Sequence, residues 1–190
     1  TMACVSEAIG LALPYSAGPP APDEGRDKYA LESGKAVMDL LENNIRPRDI
    51  VTKESFINAA VVVAATGGST NGALHLPAMA NEIGIDFDLF DVADIFKSTP
   101  YIADLKPGGN YVAKDMHEAG GVPMLLRTLL DEGFINGDCL TVTGNTLEEN
   151  ISEVVFDNTQ KVIYPASSPI TETGGVVGLK GNFAPDGAIV

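Results

Sequence analysis

Tryptophan is absent from this chain of 190 residues, and only 6% of it is aromatic. A core made from such a sequence must come from Ala, Val, Ile and Leu. Cysteine is scarce too: Cys4 and Cys139 stand far apart, with no CxxC pair and no His/Cys cluster. A complete zinc or iron–sulfur site therefore cannot be argued from this chain alone. Two lone cysteines read as reduced thiols of a cytosolic compartment, and as small buried residues before ligands. Basic residues are outnumbered, 12 Lys and Arg against 26 Asp and Glu, for a net charge of −14. Such a surface repels phosphate backbones, so no nucleic-acid partner is expected, and it disfavours anionic membranes. The longest apolar run, residues 59–65, is far short of the roughly 20 residues that span a bilayer. No signal-like segment opens the chain, and the expected location is cytoplasmic.

What is present is a globular balance, 45% hydrophobic and 20% charged, over a length sufficient for one domain or one domain and the start of another. Helical spacing of Met2, Val5, Ile9 and Leu13 predicts a helix over residues 2–12, ended by Pro14 and the Gly18-Pro19-Pro20 loop. Residues 28–43 read as an amphipathic helix with Leu31, Val37, Met38 and Leu41 on one side. Thr52 is placed to cap a helix over 53–66 that is apolar nearly all round. A further helix is expected over 71–83, capped by Ser69 or Thr70, stopped at Gly84 and bent or shortened by Pro77. Shorter helices are expected over 91–98, 112–119 and 123–132, with Pro123 at the first position and Gly133 at the C-terminal cap. Another opens at the capping box Thr146-Leu147-Glu148-Glu149. Strands are expected at 101–105, 139–143, 162–164, 176–179 and 188–190. From Val154 onward the chain turns β-branched and rich in Pro and Gly, which puts a domain boundary near residues 160–170. Thr1 reads as lying inside a helix and Val190 inside a strand, so the chain is expected to be an internal piece of a longer protein.

The sharpest local feature is Thr66-Gly67-Gly68-Ser69-Thr70-Asn71, between two predicted helices. Two glycines permit backbone geometry closed to other residues, and small polar residues follow at a helix start, where free N–H groups and the helix dipole favour a carboxylate or phosphate. The same residues also make an ordinary helix–turn–helix with a cap. No Gly-Lys-Ser/Thr follows, so this is no Walker A loop. His75, one turn into the next helix, either orients a substrate or metal-bound group or is a satisfied core histidine. His117 reads as a surface residue. Asp104 and Lys106 either face a site or pair at the surface, where a pair contributes little. No Ser/His/Asp arrangement, paired-carboxylate motif or metal-ligand spacing is present, so no catalytic residue and no metal ligand is assigned in this chain.

Several segments nevertheless match a known pattern in order. Leu13-Pro14-Tyr15-Ser16, Arg46-Pro47-Arg48-Asp49-Ile50-Val51-Thr52, Ala65-Thr66-Gly67-Gly68-Ser69-Thr70-Asn71 and His75-Leu76-Pro77-Ala78 form its first half. Pro100-Tyr101-Ile102-Ala103-Asp104-Leu105-Lys106-Pro107-Gly108-Gly109, Ala119-Gly120-Gly121-Val122-Pro123, Gly137-Asp138-Cys139-Leu140-Thr141-Val142-Thr143-Gly144 and Leu179-Lys180-Gly181-Asn182-Phe183-Ala184-Pro185 continue it. Along its whole length the chain resembles the dihydroxy-acid / phosphogluconate dehydratase family. The Ala103-to-Pro107 and Gly137-to-Gly144 segments favour its dihydroxy-acid dehydratase branch over the sugar-acid dehydratases.

The resemblance implies a reaction: loss of water from a 2,3-dihydroxy acid to give a 2-keto acid, in branched-chain amino-acid (valine and isoleucine) biosynthesis. It implies an iron–sulfur cluster as Lewis acid on the leaving hydroxyl, Mg²⁺ on the carboxylate and 2-hydroxyl, and a serine base, a division of labour that makes chemical sense. It also implies a homodimer and a small-molecule dihydroxy acid as the partner. The family's cluster cysteines, its Cys-Asp-Lys metal motif and its serine-bearing segment have no counterpart among these 190 residues. Cys4 falls past the ligand position, and Cys139 in a segment with no ligand. The resemblance thus implies the later half of a three-layer α/β/α N-terminal domain (residues 1–160), then a linker and the first strands of a C-terminal β-barrel-like domain (161–190). No cofactor is expected on the chain itself. Gly67, Gly68, Ser69, Thr70, Asn71 and His75 become the candidates for lining a substrate pocket. The chain alone is expected to be inactive; the alternative to an enzyme piece is a hydroxy-acid-binding module without chemistry.

Overall fold

The computed structural model describes all of residues 1–190. Its helices are α1 (Met2–Ala8), α2 (Gly25–Glu42), α3 (Pro47–Ile50), α4 (Lys53–Ala65), α5 (Asn71–Ile83), α6 (Leu89–Ser98), α7 (Ala113–Glu118), α8 (Gly121–Asp131) and α9 (Leu147–Ile151), followed by strands β1 (Gly178–Gly181) and β2 (Ala184–Ile189). The fold is a helix-rich α/β arrangement with one small antiparallel sheet, β1 beside β2.

Helix α4 is the axis of the core, and its composition explains why. From Ser55 to Ala65 only Ile57 escapes burial. Ala and Val dominate, and small side chains let α1, α5 and α6 approach it from several sides. The few large residues close the ends: Phe56 is fully buried and stacks on Phe87 at 5.5 Å between ring centroids. The N-terminus is fixed as expected, with the Ser55 N–H donating to Thr52 Oγ1 at 3.2 Å and the Ser55 hydroxyl returning to the Thr52 backbone. One polar side chain inside the helix does structural work. Asn58 is fully buried, donates to the Asn136 carbonyl at 2.8 Å and accepts from the Asn136 N–H at 2.8 Å. It thereby pins the loop before Cys139 to the core and satisfies its own buried amide.

Several expectations need correcting. Helix α5 has the expected bounds and its stop at Gly84, and Pro77 does not shorten it. Neither Ser69 nor Thr70 caps it with a side chain; Thr70 has helical backbone angles, and the Ser69 N–H donates instead to Thr1 Oγ1 at 2.9 Å. Helix α6 starts two residues earlier than expected, because Asp88 accepts from Phe90 and Asp91 N–H groups at 2.7 and 3.0 Å. Helix α8 also starts early, at Gly121, so Pro123 is its third residue. Helix α3 has no counterpart in the sequence expectations; Pro47 begins it, and Asp49 accepts from the Arg46 backbone N–H at 2.8 Å. The Thr146–Glu149 capping box is present as read, with bonds of 3.2 and 2.8 Å.

The largest correction concerns α2. Its apolar stripe faces outward: Leu31, Val37, Met38 and Leu41 are all exposed, and no residue of the helix is buried. The strand expectations fail in part for a related reason, since pairing is a property of two segments. Residues 101–105 and 162–164 are extended but make only isolated bridges, Tyr101 to Thr171 and Ala103 to Ile163. Residues 139–143 make one bridge, Leu140 to Thr146. Residues 176–179 and 188–190 fall on the β1–β2 hairpin, whose strands lie at 178–181 and 184–189. The hairpin packs on α6, with Gly178 so close to Ala93 that no side chain fits there.

Candidate functional site

The end of α4 dictates the shape of the Gly67-Gly68 loop. The Gly68 N–H donates to the Val63 carbonyl at 2.9 Å and the Gly67 N–H to Ala64 at 3.2 Å, the paired bonds of a Schellman helix end. That motif needs a left-handed residue, and Gly67 supplies it with φ of +55°. At Gly68 a Cβ would crowd the Thr1 side chain at 2.8 Å and the Val63 carbonyl at 3.3 Å. Thr66 is buried and spends its hydroxyl on the Val62 carbonyl at 2.7 Å. Ser69, Thr70 and Asn71 are exposed at the start of α5.

This loop forms one wall of a cleft of about 260 Å³. Residues 66–69 face Leu105, Lys106 and Pro107 across it, with Cys4 and Tyr111 contributing to the lining. The turn carrying Lys106 is fixed by Asp104, a buried carboxylate that accepts from the Asn110 backbone N–H at 3.0 Å and its Nδ2 at 2.8 Å. The open choice for Asp104 and Lys106 is thereby settled: they do not pair with each other. Asp104 braces the turn, and Lys106 is exposed at the cleft, apart from the ion pairs of the chain. The N–H groups of residues 67–69 are already spent on Ala64, Val63 and Thr1, so the group this cleft offers a small anion is the Lys106 ammonium.

The six sequence candidates do not converge. Gly67, Gly68 and Ser69 line this cleft, while His75 opens onto a different, apolar groove of about 460 Å³ lined by Met2, Ile9, Phe56, Met79 and Ile83 among others. His75 is exposed, so the core-histidine reading fails as well. His117 departs from its expectation in the opposite sense. It is half-buried, and its Nδ1 lies buried without a hydrogen-bond partner, against Gly18.

Two features escaped sequence reasoning. Tyr101, buried behind the cleft, packs its ring against Gly67. Glu7, on α1, is 4% exposed and accepts from the Ala17 N–H at 2.6 Å and the Tyr15 N–H at 3.0 Å. Burial pushes its carboxyl up from 4.5 to about 7, against the lowering effect of those two bonds. The only available signal was an acidic residue within an apolar helix repeat. Burial likewise raises the Cys4 and Cys139 thiols.

The cysteines do not form a cofactor site. Cys4 borders the cleft, whereas Cys139 is buried and accepts a 3.5 Å contact from Asn58 Nδ2. No three His, Cys, Asp or Glu side chains gather in a metal-holding group, and two separated thiols are not the cysteine set that an iron–sulfur cluster needs. No helix is long and apolar enough to cross a membrane.

Comparison with known proteins supplies the context for this cleft. Residues 1–150 match the family described as Dihydroxy-acid/6-phosphogluconate dehydratase N-terminal. A protein of Parvibaculum lavamentivorans named Dihydroxy-acid dehydratase is 71% identical over 190 residues, covering 100% of this chain and 33% of its own length. The Pelagibacter ubique protein of the same name is 73% identical over 183 residues, 96% of this chain and 32% of that protein. The Sulfolobus acidocaldarius protein, also so named, is 50% identical over 192 residues, 100% of this chain and 34% of its own. The chain spans about a third of the length of the curated relatives it matches. With most of its residues inside the matched segment, the chain belongs to the dihydroxy-acid/6-phosphogluconate dehydratase N-terminal family.

Proposed function

We propose that this chain is the scaffold portion of a hydro-lyase that dehydrates 2,3-dihydroxy acids to 2-keto acids. The observation that carries the reading is 71% identity, over every residue of the chain, to a protein named Dihydroxy-acid dehydratase. Within that enzyme residues 1–160 belong to a three-layer α/β/α domain, and 161–190 begin a β-barrel-like domain. The contribution of this chain is to shape the pocket. Gly67, Gly68 and Ser69 form one wall, and Lys106 supplies a cation for the substrate carboxylate. Thr70 and Asn71, exposed at the start of α5, remain candidates beside it, and His75, on the separate groove, is a candidate only for a second contact. An iron–sulfur cluster and Mg²⁺ would be held by segments outside this chain. The pathway is branched-chain amino-acid biosynthesis in the cytoplasm, by a homodimer.

The test is made on the complete protein from the same reading frame. Turnover of 2,3-dihydroxyisovalerate in preference to an aldonic acid is the expected result. Preference for the aldonic acid would assign the protein to the sugar-acid dehydratases, and hydroxy-acid binding without turnover would make it a binding module.

A further inference from the structure

The two walls of the cleft are joined by one side chain that does not line it. Tyr101 is 9% exposed and lies behind the cleft. On one side its ring abuts Gly67 so closely that a Cβ at Gly67 would sit 3.0 Å from Cε2 and 3.3 Å from Cζ. On the other, its hydroxyl donates to the Leu105 carbonyl at 3.5 Å, at the start of the opposing wall. The backbone beside the ring is anchored on both flanks. The Ile102 and Ala103 N–H groups share the Ala65 carbonyl at 3.0 Å, one residue before the loop begins. The Tyr101 N–H donates to Thr171 at 3.0 Å, and the Tyr101 carbonyl accepts from Ile170 at 2.9 Å. Behind Gly67 the chain closes the stack: the Gly175 N–H donates to Ala64 at 3.0 Å, and a Cβ on Gly175 would stand 2.6 Å from Gly67 Cα. The loop is therefore clamped between a glycine and a rigid aromatic ring, with no slack for a methyl group on either side.

We infer that Tyr101 is a positioning residue that sets the separation of the cleft walls, through its ring against Gly67 and its reach to Leu105. A planar ring has few rotamers and cannot shorten, whereas an aliphatic side chain in its place would let residues 66–69 and 105–107 move independently. The assignment of this cleft to a substrate rests on the function proposed above; the positioning role does not.

Cys4 offers a reporter that is independent of activity, because its thiol borders the same cleft while Cys139 is buried elsewhere. The 190-residue chain and its Tyr101→Leu and Tyr101→Phe variants are alkylated with iodoacetamide, and the two cysteines are followed separately by peptide mass. Tyr101→Leu should label several-fold faster at Cys4 with the Cys139 rate unchanged, a local rather than global opening. Tyr101→Phe keeps the ring against Gly67 but loses the bond to Leu105, and should fall between the native rate and that of the aliphatic variant. Should Tyr101→Leu fail to fold, Tyr101→Met keeps most of the buried volume and should behave as expected of Leu. Unchanged Cys4 labelling in the aliphatic variant, a parallel rise at Cys139, or a Phe variant as fast as the aliphatic one would each overturn the inference. In the complete protein the aliphatic variant should raise KM for the dihydroxy acid more than it lowers kcat. Faster Cys4 labelling with unchanged kinetics would keep the positioning role and remove the substrate from this cleft.

Discussion

Replacing Glu7 by Gln should flatten the dependence of stability on pH in one defined window. Glu7 is 4% exposed, and the groups near enough to feel its charge, Cys4 and Tyr29, are acids rather than cations. Two backbone N–H bonds do not offset the loss of water, and the carboxyl is pushed up from 4.5 to about 7. The folded chain therefore binds this proton more tightly than the unfolded chain, so stability is highest while Glu7 is protonated. As pH rises from about 4.5 to about 7 the unfolded state gives up its proton first and stability falls. The loss is ~1.4 kcal/mol per pH unit, about 3 kcal/mol across the window. Gln cannot take a charge, but it has one acceptor oxygen where Glu7 uses both, Oε2 for the Tyr15 N–H and Oε1 for the Ala17 N–H, so Glu7→Gln should carry a cost that does not vary with pH. Relative to the native chain it should gain about 3 kcal/mol between the acidic end of the window and pH 7. Urea unfolding of both proteins at the two ends of the window measures the double difference, in which all other titrating groups cancel. Parallel curves would refute the argument. A double difference that favours the native chain as pH rises would do so more directly, by showing that the Tyr15 and Ala17 bonds outweigh the cost of burial.

Three further substitutions test the packing and the clamps, each read by the shift of the urea midpoint. Phe56→Ala removes a fully buried ring stacked on Phe87 and should cost ~3–5 kcal/mol. Asn58→Leu keeps the volume but removes the partner of the Asn136 N–H and carbonyl; about 1–2 kcal/mol is expected from two part-buried bonds, and no change would mean water replaces them. Gly67→Ala combines φ of +55° with the Tyr101 ring and should cost at least ~1–2 kcal/mol, whereas a neutral result would show that the loop can shift away from the ring.

Where one segment carried both the periodicity and its own punctuation, the sequence was legible. Helix α4 is an apolar run behind a Thr52 cap and ahead of two glycines, and both ends follow from local chemistry. Helix α9 follows from Thr146 and Glu149 in the same way. Partners could not be read. Leu31, Val37, Met38 and Leu41 form a stripe with correct helical spacing, yet spacing states only which face is apolar, and in this structure that face meets solvent. Residues 101–105 have strand composition, but a ladder needs a second extended segment in register, and residues 163 and 171 offer single bridges.

The site divides along the same line. The Gly67-Gly68 turn was visible because a left-handed residue after a helix leaves a glycine in the sequence. Its surroundings were not, because they come from distant segments: Lys106 and Tyr111 reach the cleft from beyond α6, and Gly175 arrives from beyond residue 170. His75 shows the cost of reading proximity from helical spacing alone. It lies one turn along α5 from Asn71, yet it faces away from the Gly67 cleft, because residues one turn apart share a face only with each other and the loop leaves the helix end in another direction. The loop is held by contacts on three sides, Thr1 at Gly68 and Tyr101 and Gly175 at Gly67. A change at any of these three positions should therefore alter the cleft, although only Thr1 lines it. In such a site the shape of the pocket belongs to the packing behind it, and sequence motifs mark only the residues on its surface.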